Sequence, residues 1–145
     1  MRGLTQQALI VAVAAAAWLS TGCGSTPATT TTTTATAVTS TTTETFSGTI
    51  SAGQGQTYPF VSGIGSVTLT LTTVSPDSTV TLGLSLGTWT GTTCTVGTGL
   101  FNDTATQGAV ITGQATTITS LCARVYDGSG QITAPTTYLI TLVHP

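Results

Sequence analysis

Apolar and hydroxyl-bearing residues alternate with a period of two from residue 45 to the end of the chain. Val67, Leu69 and Leu71 alternate with threonines, and the same spacing recurs over residues 80–86. Because successive side chains of a strand point to opposite faces, each run predicts a strand with one apolar and one hydroxyl face. No segment after residue 20 has the 3.6-residue period of an amphipathic helix.

Two other segments are apolar on both faces. Residues 138–143 predict a more central strand at the carboxyl end, whereas the facing of residues 118–126 is ambiguous. Seven or eight short strands, about 8–14 residues apart, predict an all-β fold with one antiparallel β-sandwich over residues 45–145. The weaker strand candidates are residues 45–50, 57–62, 91–96 and 109–112, and turn-forming residues lie at 52–55, 75–77, 102–103 and 127–130.

The amino-terminal residues have the pattern of an export signal. Met1 and Arg2 precede an uncharged apolar run at residues 8–19, which is too short to span a bilayer and fits the helical core of a signal peptide. The next positions, LSTGC at residues 19–23, resemble a bacterial lipobox. This resemblance implies a signal peptide at residues 1–22 and an acylated Cys23 as the new amino terminus. The alternative is an ordinary secretory signal with an incidental cysteine.

Residues 23–44 are predicted to be a disordered tether that carries the lipid. Residues 25–43 are a low-complexity run of threonine and serine, with almost nothing that can be buried. Such a segment would lift the following domain off the membrane. O-glycosylation of the tether and an unmodified linker are both open interpretations.

Composition excludes nucleic-acid binding and supports acylation of Cys23. Lys and Arg number 2 and charged residues make up 4% of the chain, so it lacks the basic surface that nucleic-acid binding needs. Three cysteines in an exported chain leave one unpaired. If Cys23 is acylated, Cys94 and Cys122 remain as a disulfide pair between two non-adjacent strands, although two unrelated buried thiols are the alternative.

Several short motifs resemble the bacterial pre-peptidase C-terminal domain. They are FSGTI at residues 46–50, YPF at 58–60 and VTLTL at 67–71, followed by CARVYD at 122–127 and YLITL at 138–142. The resemblance covers most of residues 45–145. It implies a jelly-roll-like sandwich that acts as a binding or targeting module.

One motif suggests a hydrolase. Residues 83–87 fit G-x-S-x-G around Ser85, and Asp127 and His144 follow in hydrolase order. A nucleophile elbow, however, needs a strand-to-helix turn at the serine, and Ser85 lies within a predicted strand. His144 is the penultimate residue, where chain ends usually fray. We therefore expect no enzyme, and a small secreted hydrolase built on Ser85 is a remote alternative.

The candidate ligand-binding residues are carboxylates and aromatic residues in the predicted loops. Asp77, Asp103 and Asp127 are predicted in loops and are candidates for calcium, but their spacing matches no EF-hand, and turn formation explains them, with Asp127 in a hairpin. We expect no metal or other cofactor. Trp89 and Phe101 are predicted in loops, where they could stack on sugars or cover an edge of the core.

These observations favour a non-enzymatic lipoprotein of the bacterial cell envelope, with a β-sandwich in a structural or weak-binding role. The alternative is a carbohydrate-binding module that uses Trp89. Expected partners are the membrane, through the lipid on Cys23, and a surface glycan or another envelope protein. Gly24 follows the acylated cysteine in place of aspartate, which favours the outer membrane or cell surface over the inner membrane. Arg124 is interpreted as a structural residue that could pair with one of the aspartates.

Overall fold

The computed structural model describes residues 40–145, and the predicted signal peptide, Cys23 and most of the predicted tether lie outside these residues. The described residues are all-β, as predicted, with eight strands and no helix. The first strand begins three residues before the predicted domain boundary at residue 45. The strands are β1 (Thr42–Ile50), β2 (Gly55–Ser62), β3 (Gly65–Ser75), β4 (Leu82–Trp89), β5 (Cys94–Ala105), β6 (Val110–Ala115), β7 (Thr119–Tyr126) and β8 (Thr136–His144).

The strands form two four-stranded antiparallel sheets. Sheet I has the order β1-β8-β3-β6 and sheet II the order β2-β7-β4-β5. Only β4 and β5 are consecutive strands within one sheet, so the other connections pass from one sheet to the other. β8 lies between β1 and β3, which confirms the prediction of a more central final strand. Within residues 40–145, no helix is long and apolar enough to cross a bilayer.

The core lies between the two sheets and follows the period-two pattern. In β3, Val67, Leu69 and Leu71 are buried while the residues between them are partly exposed. Burial of this kind stabilises a fold by about 25 cal/mol for each Å² of apolar surface removed from water. The other large buried apolar residues of the core include Ile50, Phe60, Leu82, Leu84, Leu86, Val125, Ile140 and Leu142.

The structure corrects the predicted ends of two strands. β4 begins at Leu82, after Val80, and includes Trp89, which was expected in the following loop. β5 begins at Cys94 and continues through Phe101 and the predicted turn at residues 102–103. Its pairing with β4 shifts register twice, and these irregularities accommodate extra residues of β5 that have no partner on β4. Phe101 and Asp103 are therefore strand residues.

Two expectations about exposure are also wrong. The hydroxyl face of β4 was expected to meet solvent, yet every residue from Leu82 to Gly87 is buried. His144 was expected to fray, yet it is buried in β8 and its ring centre lies 5.1 Å from that of Phe60. Its Nε2 is 3.4 Å from the Glu44 carboxylate, so packing and pairing hold the carboxyl end in place.

Candidate functional site

The outer face of sheet II carries a row of side chains across all four strands. Thr57 on β2 pairs with Arg124 on β7, Arg124 pairs with Ser85 on β4, and Ser85 pairs with Phe101 on β5. Directly paired residues share a face of a sheet. The neighbours of Arg124 on β7, which are Ala123 and Val125, are fully buried in the core. The row therefore faces away from the core.

An open groove lies beside this row and has a volume of about 330 Å³. One wall comes from the β4–β5 hairpin and the other from β2 and β7. Trp89 is the last residue of β4 and its backbone pairs with Cys94. The four-residue turn that follows contributes threonine side chains to the groove. The lining residues are Thr57, Trp89, Thr92, Thr93, Cys94 and Arg124.

The two later cysteines form a disulfide at this groove, as predicted. Their Cα atoms are 5.9 Å apart, within the usual range for a bridge. Cys94 is on β5 and Cys122 on β7, and β4 lies between these strands in the sheet. The bridge thus spans β4 where Gly87 pairs with Cys122. A Cβ atom at Gly87 would lie 2.7 Å from the backbone carbon of Thr95, so only glycine leaves room for the β5 backbone at this point.

The guanidinium of Arg124 stacks on an aromatic ring. Its central carbon lies 5.3 Å from the ring centre of Tyr126, a cation–π geometry. Arg124 does not form the aspartate pair considered for it, because within residues 40–145 the only carboxylate in an ion-pair contact is that of Glu44, with His144. The cation lies on the groove wall and its charge is available to a ligand.

Tyr126 closes the other end of the outer face. Its hydroxyl donates a hydrogen bond to the Asp103 carboxylate on β5, on the far side of β4. Burial, and then this hydrogen bond to Asp103, raise the pKa of Tyr126 to about 12. The phenol therefore stays protonated at physiological pH and acts as a donor.

The hydrolase constellation is not assembled. Ser85 lies inside β4 and is fully buried, and its hydroxyl has no hydrogen-bond partner among the described residues. Asp127 accepts a hydrogen bond from the Gly53 backbone N–H at 2.9 Å, and His144 lies beside Glu44 at 3.4 Å. Ser85 thus has no partner within residues 40–145, Asp127 and His144 have different partners, and neither of these contacts joins one candidate to another.

The three calcium candidates do not form one cluster. Asp77 accepts hydrogen bonds from the backbone and side chain of Thr79, which hold its pKa below the usual value, and this is the predicted turn role. Asp103 bonds to Tyr126 from within β5 and Asp127 bonds to Gly53. Asp127 follows β7 on the connection to sheet I, so it is not a hairpin residue. In the part of the chain that the structure describes, no three potential ligands cluster to hold a metal.

A partly buried tyrosine pair joins the two sheets, and the sequence pattern indicates it only weakly. The hydroxyls of Tyr58 on β2 and Tyr138 on β8 are 2.7 Å apart, and both lie within reach of the Gln56 side-chain oxygen, at 2.8 and 3.1 Å. Burial raises the pKa of Tyr138 above its usual value. The available signal was a tyrosine at an inward position of a strand, since a buried tyrosine hydroxyl usually finds a partner.

The groove combines one indole ring, one guanidinium and several hydroxyls. An aromatic face offers a stacking surface, and the polar groups fix the orientation of a ligand. Binding sites usually combine these two kinds of group. Comparison with protein-family models finds no family that matches the chain, and comparison with curated proteins finds no matching relative. The groove can accept a polar ligand with at least one flat apolar face.

Proposed function

We propose that the protein is an exported, lipid-anchored protein of the bacterial cell envelope, with a non-enzymatic β-sandwich in a structural or weak-binding role. The disulfide between Cys94 and Cys122 carries the proposal. Disulfides persist in oxidising compartments and are rare in the cytosol, so the bridge favours export. With these two cysteines paired, Cys23 is the only one left, and it stands where a lipobox would place the acylated residue.

Metabolic labelling tests the anchor. Cells that express the full chain are fed a palmitate analogue, and the labelled protein is detected after purification. We expect label on the wild type and on Cys94→Ala/Cys122→Ala, and none on Cys23→Ala. An unlabelled wild type, or label that survives in Cys23→Ala, contradicts lipid anchoring. Gly24, in place of aspartate after Cys23, supports an anchor in the outer membrane or at the cell surface.

The finer fold assignment is a jelly roll related to the pre-peptidase C-terminal domain. The strand orders β1-β8-β3-β6 and β2-β7-β4-β5 support it, since eight strands in two sheets with Greek-key connections make a jelly roll. The motifs that carry the resemblance lie in β1, β2, β3, β7 and β8. Within such a family the domain would serve as a binding or targeting module.

A second candidate function is carbohydrate binding, and the groove beside Trp89 favours it. The indole ring and the Arg124 guanidinium line one open groove together with threonine hydroxyls. Sugars present both flat apolar faces and hydroxyls, so such a groove fits them. Phe101 is exposed on the same face of sheet II but is not among the groove residues.

A glycan array tests this candidate with the disulfide-bonded protein. We expect binding to at least one envelope glycan, lost in Trp89→Ala and kept in Val110→Ala, which removes an exposed apolar side chain from sheet I. Binding to no glycan, or equal binding by wild type and Trp89→Ala, removes this function. The structural role and an envelope-protein partner would then remain.

A further inference from the structure

One end of the sandwich receives the chain from the predicted tether, and we call it the β1 end. Thr42, the first residue of β1, pairs with His144, the last residue of β8. The next residue, Pro145, accepts a hydrogen bond from the Gly63 backbone N–H at 2.9 Å. The chain therefore enters the fold next to the connection between β2 and β3.

The β1 end also carries the most exposed large apolar side chain of the described residues. Ile118, in the β6–β7 connection, is 76% exposed, and Ile64, in the β2–β3 connection, is 59% exposed. Val61, near the end of β2, is 61% exposed. We call these three residues the isoleucine tip.

The register places the two isoleucine-bearing connections side by side. In sheet II, Ser62 pairs with Thr119, and in sheet I, Gly65 pairs with Ala115. Each connection leaves one of these pairs and arrives at the other, so both cross the same end of the sandwich next to each other. The exposed side chains thus belong to one surface although they are 54 positions apart in the sequence (118 minus 64).

Few charged side chains lie near the isoleucine tip. Glu44 is the acidic residue nearest this end, and its carboxylate is turned to His144 at 3.4 Å. Asp77 and Asp127 lie in the β3–β4 and β7–β8 connections, at the opposite end. Charged side chains are costly to remove from water, and fewer of them lie at this end than at the other, although the carboxyl group of Pro145 lies here beside Gly63.

The predicted tether joins the β1 end to the proposed lipid on Cys23. Cys23 and Thr42 are 19 residues apart (42 minus 23), and a chain of that length reaches at most roughly 65 Å when fully extended. Because the chain enters the fold at Thr42, the anchor would be joined to the β1 end and not to the opposite end. Three exposed side chains are too few for a stable dimer, which needs roughly 800 Å² of surface per partner. Lipid requires no complementary surface.

We propose that the isoleucine tip inserts into the interface of the membrane that holds the acyl chains of Cys23, so that the sandwich stands on the bilayer with sheet II and the Trp89 groove upright beside it. This inference rests on the proposed lipid anchor. Apolar side chains at such an interface enter the boundary between headgroups and acyl chains by about 5–10 Å. Docking would give the domain a fixed orientation in place of free rotation on its tether.

Spin labelling of the full, acylated chain tests the docking. The protein is reconstituted into vesicles of phosphatidylethanolamine and phosphatidylglycerol, with a nitroxide on Thr117→Cys beside Ile118. A second sample carries the label on Thr133→Cys, an exposed position at the opposite end. Collisions with oxygen, which concentrates in lipid, are compared with collisions with a water-soluble nickel complex. We expect the ratio of the two rates to be severalfold higher at residue 117 than at residue 133.

Two variants complete the test. In Ile64→Ser/Ile118→Ser the ratio at residue 117 should fall to that at residue 133, because loss of each isoleucine weakens partitioning by about tenfold or more. Val110→Ser should leave the ratio unchanged. Vesicle flotation reports the anchor separately. If the protein floats but the label at residue 117 is exposed to water, the docking is wrong and the anchor stands. Spin–spin broadening from contact between two copies also contradicts the docking alone. If the protein fails to float, the anchor is wrong.

Discussion

The hydroxyl of Tyr126 on β7 donates a hydrogen bond to the carboxylate of Asp103 on β5, across the full width of β4. The ring can cross because Gly83 is the β4 residue beneath it. A Cβ atom at Gly83 would lie 2.6 Å from ring atoms of Tyr126, closer than any real contact allows. The tyrosine thus covers the outer face of β4, which explains in part why that face is buried where an exposed hydroxyl face was expected.

Substitution of Gly83 should disturb this crossing. We expect Gly83→Ala to lower the free energy of unfolding by about 1–3 kcal/mol, the usual cost of forcing an extra methyl group into a packed site. Urea unfolding followed by circular dichroism measures it. Gly63→Ala is the matched control, since its new methyl group would meet Pro145 at an ordinary 3.4 Å. Equal losses in the two variants would show that Tyr126 does not occupy the space over Gly83.

The same tyrosine should make stability depend on pH in the alkaline range. Burial and the hydrogen bond to Asp103 raise the pKa of Tyr126 to about 12 from an ordinary value of 10.0. The folded state therefore favours the protonated phenol, and its contribution is complete below pH 10.0 and is lost as the pH rises toward 12. We expect the urea midpoint to fall over this window, and to fall less steeply in Tyr126→Phe. Parallel curves for the two proteins would contradict the assignment.

Part of the fold follows from local pattern alone. Val67, Leu69 and Leu71 fall on the core face of β3 because a strand has a strict period of two, and β8 is central because it is apolar on both faces. β5 was placed too early and too short. Its sequence, CTVGTGLFNDTA, has no regular alternation, and its strand structure comes from pairing with β4 through two register shifts. Such pairing is tertiary information that a local pattern does not contain.

The candidate site also depends on strand pairing that a local sequence pattern does not contain. Trp89 and Arg124 were recognised separately, one as a ligand-binding candidate and one as a structural cation. They line one groove because β4 and β7 are neighbours in sheet II. The contact between Tyr58 and Tyr138 was hidden for a related reason, since it joins residues 80 positions apart in opposite sheets. Single residues were predictable, and their combinations were not.

The disulfide should supply a large share of the stability of this domain. A bridge with a sequence separation of 28 restricts the unfolded chain by about 3–4 kcal/mol in the loop-entropy model. We expect Cys94→Ala/Cys122→Ala to lose roughly that amount in urea unfolding. A reductant should destabilise the wild type and leave the double variant unchanged. If the reductant leaves the wild type as stable as before, the two sulfurs are not bridged in solution.

Removal of the buried Ser85 hydroxyl should distinguish a structural residue from a nucleophile. The side chain is fully buried in β4 and its hydroxyl has no hydrogen-bond partner among the described residues. An unpaired buried hydroxyl costs about 1–3 kcal/mol, so Ser85→Ala should unfold at a higher urea concentration than the wild type. Ser120→Ala, at an exposed position of β7, should change stability by less than about 0.5 kcal/mol.

A serine-reactive fluorophosphonate should label neither the wild type nor Ser85→Ala. Labelling of the wild type that disappears in Ser85→Ala would mean that Ser85 becomes accessible and nucleophilic, and would establish the hydrolase in place of the non-enzymatic sandwich.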